Sequence, residues 1–354
     1  MRRLLAVATA FVMTGCGAPQ AADSRPGAAD LPRFVMTGPA TGYAVWPSGV
    51  RWIVLGTQDG WRTVANRTPV AVPTDGGLVL AASNARLALG VLPFQALTVS
   101  PVLTSDGTTR QWVPSQLPSA LAPSATAVAR SQDATWAVLV DGSVLTDSDG
   151  TSTWTSVTSA HQLDPSASAT LTGVTFPGGS SGFLTASRGS PGPSLFVTDD
   201  SGRTWHDSGL RVRGTALSSW PPCRIGSTWA APVQVDDHLV VLTADQAEGP
   251  WSAGPPLPTA GDALVSCTPS RVVASVATGG SDALYSIAPG NSWAALGTVG
   301  RHLVTLTAVS DTSAFAADSD PGRVLEVSLG APVRVSDVPL PDWVATIGGA
   351  PMRN

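Results

Sequence analysis

The residues best equipped for chemistry in this chain are its aspartates, and two of them open the stretch TDDSGRTW at 198–205. A carboxylate beside a Gly turn and a hydroxyl is a candidate general acid, and the DSDG run at 147–150 has the look of a Ca²⁺ loop. A Ca²⁺ loop of that kind ends in a Glu at its twelfth position; none follows here, so no metal is expected. Glycoside hydrolysis needs two carboxylates facing each other about 5 to 9 Å apart, and chain order by itself designates no such pair. The four His (His161, His206, His238, His302) stand apart, with no H-E-x-x-H, no H-x-H and no Cys pair at metal spacing. No G-x-S-x-G elbow occurs, and the Gly-rich GVTFPGGSSG at 173–182 lacks a following helix to hold a phosphate, so no cofactor is expected. Whether Asp200 serves chemistry or folding then depends on the elements that carry it.

Those elements read as β-strands. Hydrophobic content is 43%, with 36 Gly and 30 Pro spread along 354 residues, as short strands with frequent turns require. Trp61, Trp112, Trp154, Trp205, Trp251 and Trp293 follow one another at intervals of 51, 42, 51, 46 and 42 residues, most of them just after an Asp-Gly or Gly turn. A period near 46 is the length of a four-stranded propeller blade. Within one period, LTGVTFPGG, SGFLTASRG, SLFVTDDSG and RTWHDSG are four β-rich runs separated by Gly, Pro and Ser. The last repeat keeps four runs and has no turn Trp. The expectation is an all-β chain forming a single β-propeller of seven four-stranded blades over 31–345, with six blades as the alternative. DWVATIGG near the C-terminus is a candidate for closing the ring against the first blade, ahead of a tail at 346–354.

TDDSGRTW matches the Asp-box (BNR) pattern S/T-x-D-x-G-x-T-W at Thr198, Asp200, Gly202, Thr204 and Trp205. A second copy carries Asp149, Thr153 and Trp154 with its Gly displaced to 150, and a third has Gly290, Ser292 and Trp293 without the Asp. The repeats resemble those of sialidase-superfamily and photosystem II assembly-factor-like propellers. The resemblance implies that the box is the turn between the third and outermost strands, its carboxylate accepting turn N–H bonds, its Gly at positive φ and its Trp packed between strands. Asp200 is then a turn brace. Sialidases of this superfamily use a Tyr nucleophile with a Glu, an Asp acid, three Arg and an F-R-I-P motif. This chain has two Tyr (Tyr43, Tyr285), two Glu (Glu248, Glu326) and no F-R-I-P, and Tyr43 and Tyr285 sit in runs where packing is the expected role.

The N-terminus supplies an address. Arg2 and Arg3 precede an apolar run at 4–13 that is too short to span a bilayer, which describes an export signal over 1–15. Met13, Thr14, Gly15 and Cys16 resemble a bacterial lipobox, with Met13 where Leu is usual; the resemblance implies diacylation of Cys16, and an ordinary secretory signal is the alternative. Two acyl chains are what stable anchoring requires. Residues 16–30 read as the lipidated Cys and a polar tether. In an oxidising compartment the remaining Cys223 and Cys267 are expected to form one disulfide, with two separate thiols as the alternative. All 20 basic residues are Arg, none in a run, and the net charge is −5, which argues against a nucleic-acid partner.

A ligand face is expected at the loops between second and third strands. These carry Arg51, Arg188, Asp236, Asp237, His238, Asp282, Asp318, Asp320 and Arg323, with solvated turns as the alternative reading. The functional expectation is a lipid-anchored, extracytoplasmic, non-catalytic platform for a cell-envelope protein or glycan, the alternative being a glycoside hydrolase.

Overall fold

The structure, a computed structural model, describes residues 33–341 apart from short internal segments, the longer being 93–100, 106–110, 119–123, 148–152, 166–169, 188–193 and 319–322. Cys16, Asp149, Arg188, Asp320 and the DWVATIGG run lie outside the described residues.

Seven antiparallel sheets follow one another along the chain as the blades of a single propeller. Blade 1 runs from Arg33 to Pro73, blade 2 from Leu78 to Pro114, blade 3 from Ala125 to Ser159 and blade 4 from Thr170 to Asp207. Blade 5 runs from Ala216 to Pro258, blade 6 from Ala263 to Thr298 and blade 7 from Leu303 to Pro339. Each blade is built from consecutive antiparallel strands, so the ladders are local, and a single-residue parallel bridge, Gln116 to Thr153, links blades 2 and 3. One helical turn, Ala160–Leu163, follows blade 3, its N-cap Ser159 accepting the Gln162 N–H. No helix among the described residues is long and apolar enough to cross a membrane.

Burial explains the strand sequences. Middle strands such as Thr135–Leu139 (TWAVL) are buried at every position because both faces pack on neighbouring blades, and they read as continuous apolar runs. The outermost strand of blade 4, His206–Asp207, is exposed at both residues and carries polar side chains. The core is therefore a ring of interfaces. Phe183 of blade 4 packs edge-on against Trp229 of blade 5 with centroids 4.8 Å apart, an aromatic contact that adds about 0.5–1.5 kcal/mol to the burial itself. Phe34, Trp46 and Trp61 of blade 1 share a cluster with Val304, Phe315 and Val324 of blade 7. Side-chain packing thus joins the first and last blades, each complete with four strands of its own.

Blade 5 departs from the expected regularity. Its innermost layer is split into Ala216–Ser219 and Cys223–Ile225, both pairing with Thr228–Val235, and its outermost layer into Ser252–Ala253 and Leu257–Pro258. Pro221–Pro222 and Pro255–Pro256 fall in the two gaps, where the missing N–H groups interrupt the ladder. The first gap places Cys223 beside the end of the innermost strand of blade 6, and Cys223 and Cys267 form a disulfide. Closing a loop of 44 residues is worth about 4 kcal/mol in the chain-entropy account.

Candidate functional site

The TDDSGRTW stretch is the hairpin turn between the third strand of blade 4, Ser194–Thr198, and its outermost strand. Oδ1 of Asp200 accepts the backbone N–H of Arg203 and of Thr204, both at 2.9 Å, and the Thr198 hydroxyl at 2.8 Å. Oδ2 accepts the Thr204 hydroxyl at 2.7 Å. Thr198, fully buried, receives the Gly202 N–H at 3.0 Å on its own hydroxyl. Gly202 has φ +82°, and Trp205 donates its indole N–H to the Gly202 carbonyl at 3.0 Å. Partial burial pushes the Asp200 carboxyl up, but the bonds from Thr204, Thr198 and Arg203 outweigh it and hold the group at about 2. A carboxylate so acidic keeps no proton to donate near neutral pH, and its lone pairs are occupied by the turn.

Blade 1 repeats this network with a different sequence. Asp59 accepts the Thr63 N–H at 2.8 Å and hydroxyl at 2.7 Å, and the Thr57 hydroxyl at 3.0 Å. Chiefly through the Thr63 hydroxyl, its carboxyl is also held below the usual range. The N–H that corresponds to Gly202 belongs to Trp61, at φ +68°, donating to Thr57 at 2.9 Å. Trp61 therefore occupies the glycine position of the turn, and Val64 the tryptophan position. Aligning the tryptophans places this repeat three residues out of register. A fully buried ring packed edge-on against Phe34 at 5.2 Å compensates for a backbone conformation that bulky residues rarely adopt. In blade 3, Thr153 and Trp154 follow the third strand, and Trp154 is buried against Leu145 and Ala137.

The residues expected on the ligand face stand at corners between second and third strands, and Asp236, Asp237, His238, Asp282, Asp318 and Arg323 are not among the residues described at the centre of the ring. Arg51 opens the third strand of blade 1. In blade 5, Asp236 has φ +52° in the turn, and Asp237 meets His238 at 2.5 Å with both side chains exposed. Asp282 is completely buried. It accepts the Ser275 hydroxyl at 2.6 Å, the His302 ring Nδ1 lies 2.8 Å away and the Leu303 N–H points to it at 3.3 Å, so it ties blade 6 to the start of blade 7. Asp318 is buried beside Arg301 at 3.0 Å and Arg323 at 3.9 Å, while Arg301 also reaches Asp337 at 3.3 Å. These acidic groups are drawn into pairs within and between blades 6 and 7. Tyr43 is buried in the core between blades 1 and 2, where burial raises its phenol pKa, and Tyr285 packs between blades 5 and 6.

A cavity shared by all the blades lies elsewhere. A central channel of about 510 Å³ is lined by residues from the innermost layer of all seven blades. Val79, Leu80, Val128, Val174, Val265 and Leu306 make apolar walls, with hydroxyls from Thr175, Ser266, Thr305 and Thr307. The lining comes from the middle of innermost strands such as Leu303–Ala308 and reaches the C-terminal end of Ala125–Arg130, where the first-to-second-strand turn lies. Arg130 is the single charged side chain among the described lining residues. Its guanidinium donates through Nη1 to Thr135 Oγ1, and its Nε is buried without a hydrogen-bond partner. Burial lowers its pKa, nearby Arg86 lowers it further, and Asp147 opposes them. Sequence reasoning passed over Arg130. Its one local signal is a cation closing the apolar run ATAVAR of an innermost strand.

No protein-family model matches the chain, and none of the curated proteins matches it. Solved structures do. YCF48 bound to a D1 peptide is similar over 86% of this chain and 89% of that one, with a TM-score of 0.56 and 13% identity. The β-propeller domain of Myceliophteria thermophila Cps50 (Swd1) aligns over 84% of this chain and 94% of its own length, at a TM-score of 0.56 and 11% identity. A computationally designed protein, Ika8, aligns over 84% of each chain with the same TM-score and 12% identity. At such identities the likeness is one of fold, and the fold shared is the β-propeller.

Proposed function

We propose that this chain is a lipid-anchored, extracytoplasmic propeller that binds a cell-envelope protein without transforming it. The observation that carries the reading is the central channel: all seven blades contribute to it, and its described lining is apolar or hydroxyl-bearing with one cation. Glycoside hydrolysis across it would call for a pair of facing carboxylates, and the described lining residues supply none. The aspartates that drew attention as acids are engaged as turn braces and blade-to-blade links. A fold neighbour that holds a peptide, YCF48, fits the same reading. The hydrogen bonds around Asp200 and Asp59 support reading these turns as Asp boxes of the BNR kind, with a scaffolding role. Anchoring through Cys16 rests on the charged start, the short apolar run and the position of that Cys.

The test is affinity capture of the full-length protein from detergent-solubilised membranes, alongside a glycan array probed with a full-length Cys16→Ser form. A stoichiometric protein partner with a silent array is the expected result. Selective glycan binding with no protein partner would overturn it, and turnover of that glycan would restore the hydrolase alternative. The Cys16→Ser protein is expected in the soluble fraction; if it stays with the membrane, the anchoring proposal fails.

A further inference from the structure

We infer that the central channel is a carboxylate site, in which an apolar group bearing a single carboxylate enters at the end of the ring beside Arg130 and places its charge on that guanidinium. The inference rests on the binding-platform reading and names the chemistry of what is bound.

Arg130 terminates the innermost strand of blade 3, so its position is set by the ladder with Thr135–Leu139 rather than by a loop. The channel walls around it are chiefly Val, Leu, Ala and Phe side chains. A cation against such walls is poorly solvated, and its buried Nε lacks an acceptor. A guanidinium does not escape by losing its proton, because it stays charged in proteins. Arg86 opens the second strand of blade 2, at the same end of the ring, and acts on Arg130 as a like charge. Asp147 acts on Arg130 in the opposite sense.

The volume of about 510 Å³ falls within the ~300–1,000 Å³ of small-ligand sites, whose usual make-up is apolar walls with a few oriented polar groups. One charged side chain in the lining matches one charge on the ligand, and the planar fork of a guanidinium matches a carboxylate. The carboxylate can belong to a free fatty-acid-like molecule or to the end of an apolar protein tail. The site chemistry is the same for both.

The experiment uses the full-length Cys16→Ser protein and two matched pairs of probes, with binding followed by calorimetry. Octanoate is compared with octanol, and the peptide acetyl-Ala-Val-Leu-Val with a free acid end is compared with its amide. At least one acid probe is expected to bind about tenfold or more tighter than its neutral twin, the scale of one charge-assisted hydrogen bond. Arg130→Gln is expected to erase that preference and Arg130→Lys, which keeps the charge without the fork, to retain part of it. Preference for octanoate alone identifies a free small acid; preference for the peptide acid identifies a protein tail. Equal binding of acid and neutral probes overturns the inference, as does a preference that survives Arg130→Gln. The wild-type comparison needs no variant, so a misfolded substitution does not rescue the idea. If no probe binds while membrane capture still yields a stoichiometric partner, the carboxylate site is wrong and the platform reading stands.

Discussion

Replacing Asp200 separates chemistry from folding. In Asp200→Ala, the N–H groups of Arg203 and Thr204 and two Thr hydroxyls lose their shared acceptor. The turn is at the surface and water can take up the N–H groups, so the loss compares with that of a helix N-cap, about 1–2 kcal/mol. Asp200→Asn keeps one acceptor oxygen and removes the charge. The folded-state carboxyl sits at about 2 against an ordinary 3.8, and each tenfold change in proton affinity is worth about 1.36 kcal/mol. Solvent reaches this group, so screening brings the pH-dependent share to about 1 kcal/mol. A depressed carboxyl stabilises the fold fully above its unfolded value, and that stabilisation is lost as pH falls from near 3.8 toward 2. Urea unfolding of wild type and Asp200→Asn should therefore show a gap of about 1 kcal/mol at pH 7 that shrinks progressively below pH 4. A gap that is as wide at pH 2.5 as at pH 7 would refute the electrostatic account. A variant with unchanged stability and lost ligand binding would refute the assignment of Asp200 to folding altogether.

Two further substitutions probe other parts of the frame. Gly202→Ala should cost about 2–3 kcal/mol in urea unfolding, combining an L side chain at φ +82° with a new Cβ 2.8 Å from Trp136 Nε1. A loss under 0.5 kcal/mol would mean that the turn does not hold this conformation. Asp282→Ala should cost about 2–3 kcal/mol because the buried Ser275 hydroxyl loses its acceptor and blades 6 and 7 lose a link; hydrogen exchange in the first strand of blade 7 should rise with it, and unaltered protection there would contradict the link.

Turn chemistry is local, and that is why the blades were legible. An Asp, a Gly or a Trp at a hairpin acts on neighbours four residues away, so the repeat survives in the sequence even where one member has drifted. The same locality misled at Trp61, where a conspicuous side chain suggested one register and the Thr57–Asp59–Thr63 hydrogen bonds set another. The interruptions of blade 5 were present in the sequence as Pro pairs, but pairing partners had to be known before a Pro could be placed in a gap. Asp282 and His302 lie 20 residues apart, and nothing in the two strands of blade 6 between them announces that they meet. The channel was out of reach for a deeper reason. Arg130 shares the channel lining with residues of six other blades, and that lining comes into being only when the ring closes through Phe34, Trp46 and Trp61 against Val304 and Phe315.

On the proposed function, stability and binding are carried by different residues. Most core clusters join a blade to an adjacent one, so stability is close to a sum of neighbouring interfaces, and a damaged turn weakens its own blade first. The channel has the opposite character, because it is assembled from the innermost layer of every blade and no single interface defines it. A substitution at Asp200, Gly202 or Asp282 should lower the unfolding free energy while the folded molecules that remain bind as before. Arg130 ends a strand on the channel side, and its guanidinium bonds to Thr135 of the next strand in its own blade. Its replacement should alter what the ring accepts more than how firmly the ring holds together. Selection for ligand would then leave its mark on the innermost strands, and selection for folding on the hairpins at the rim.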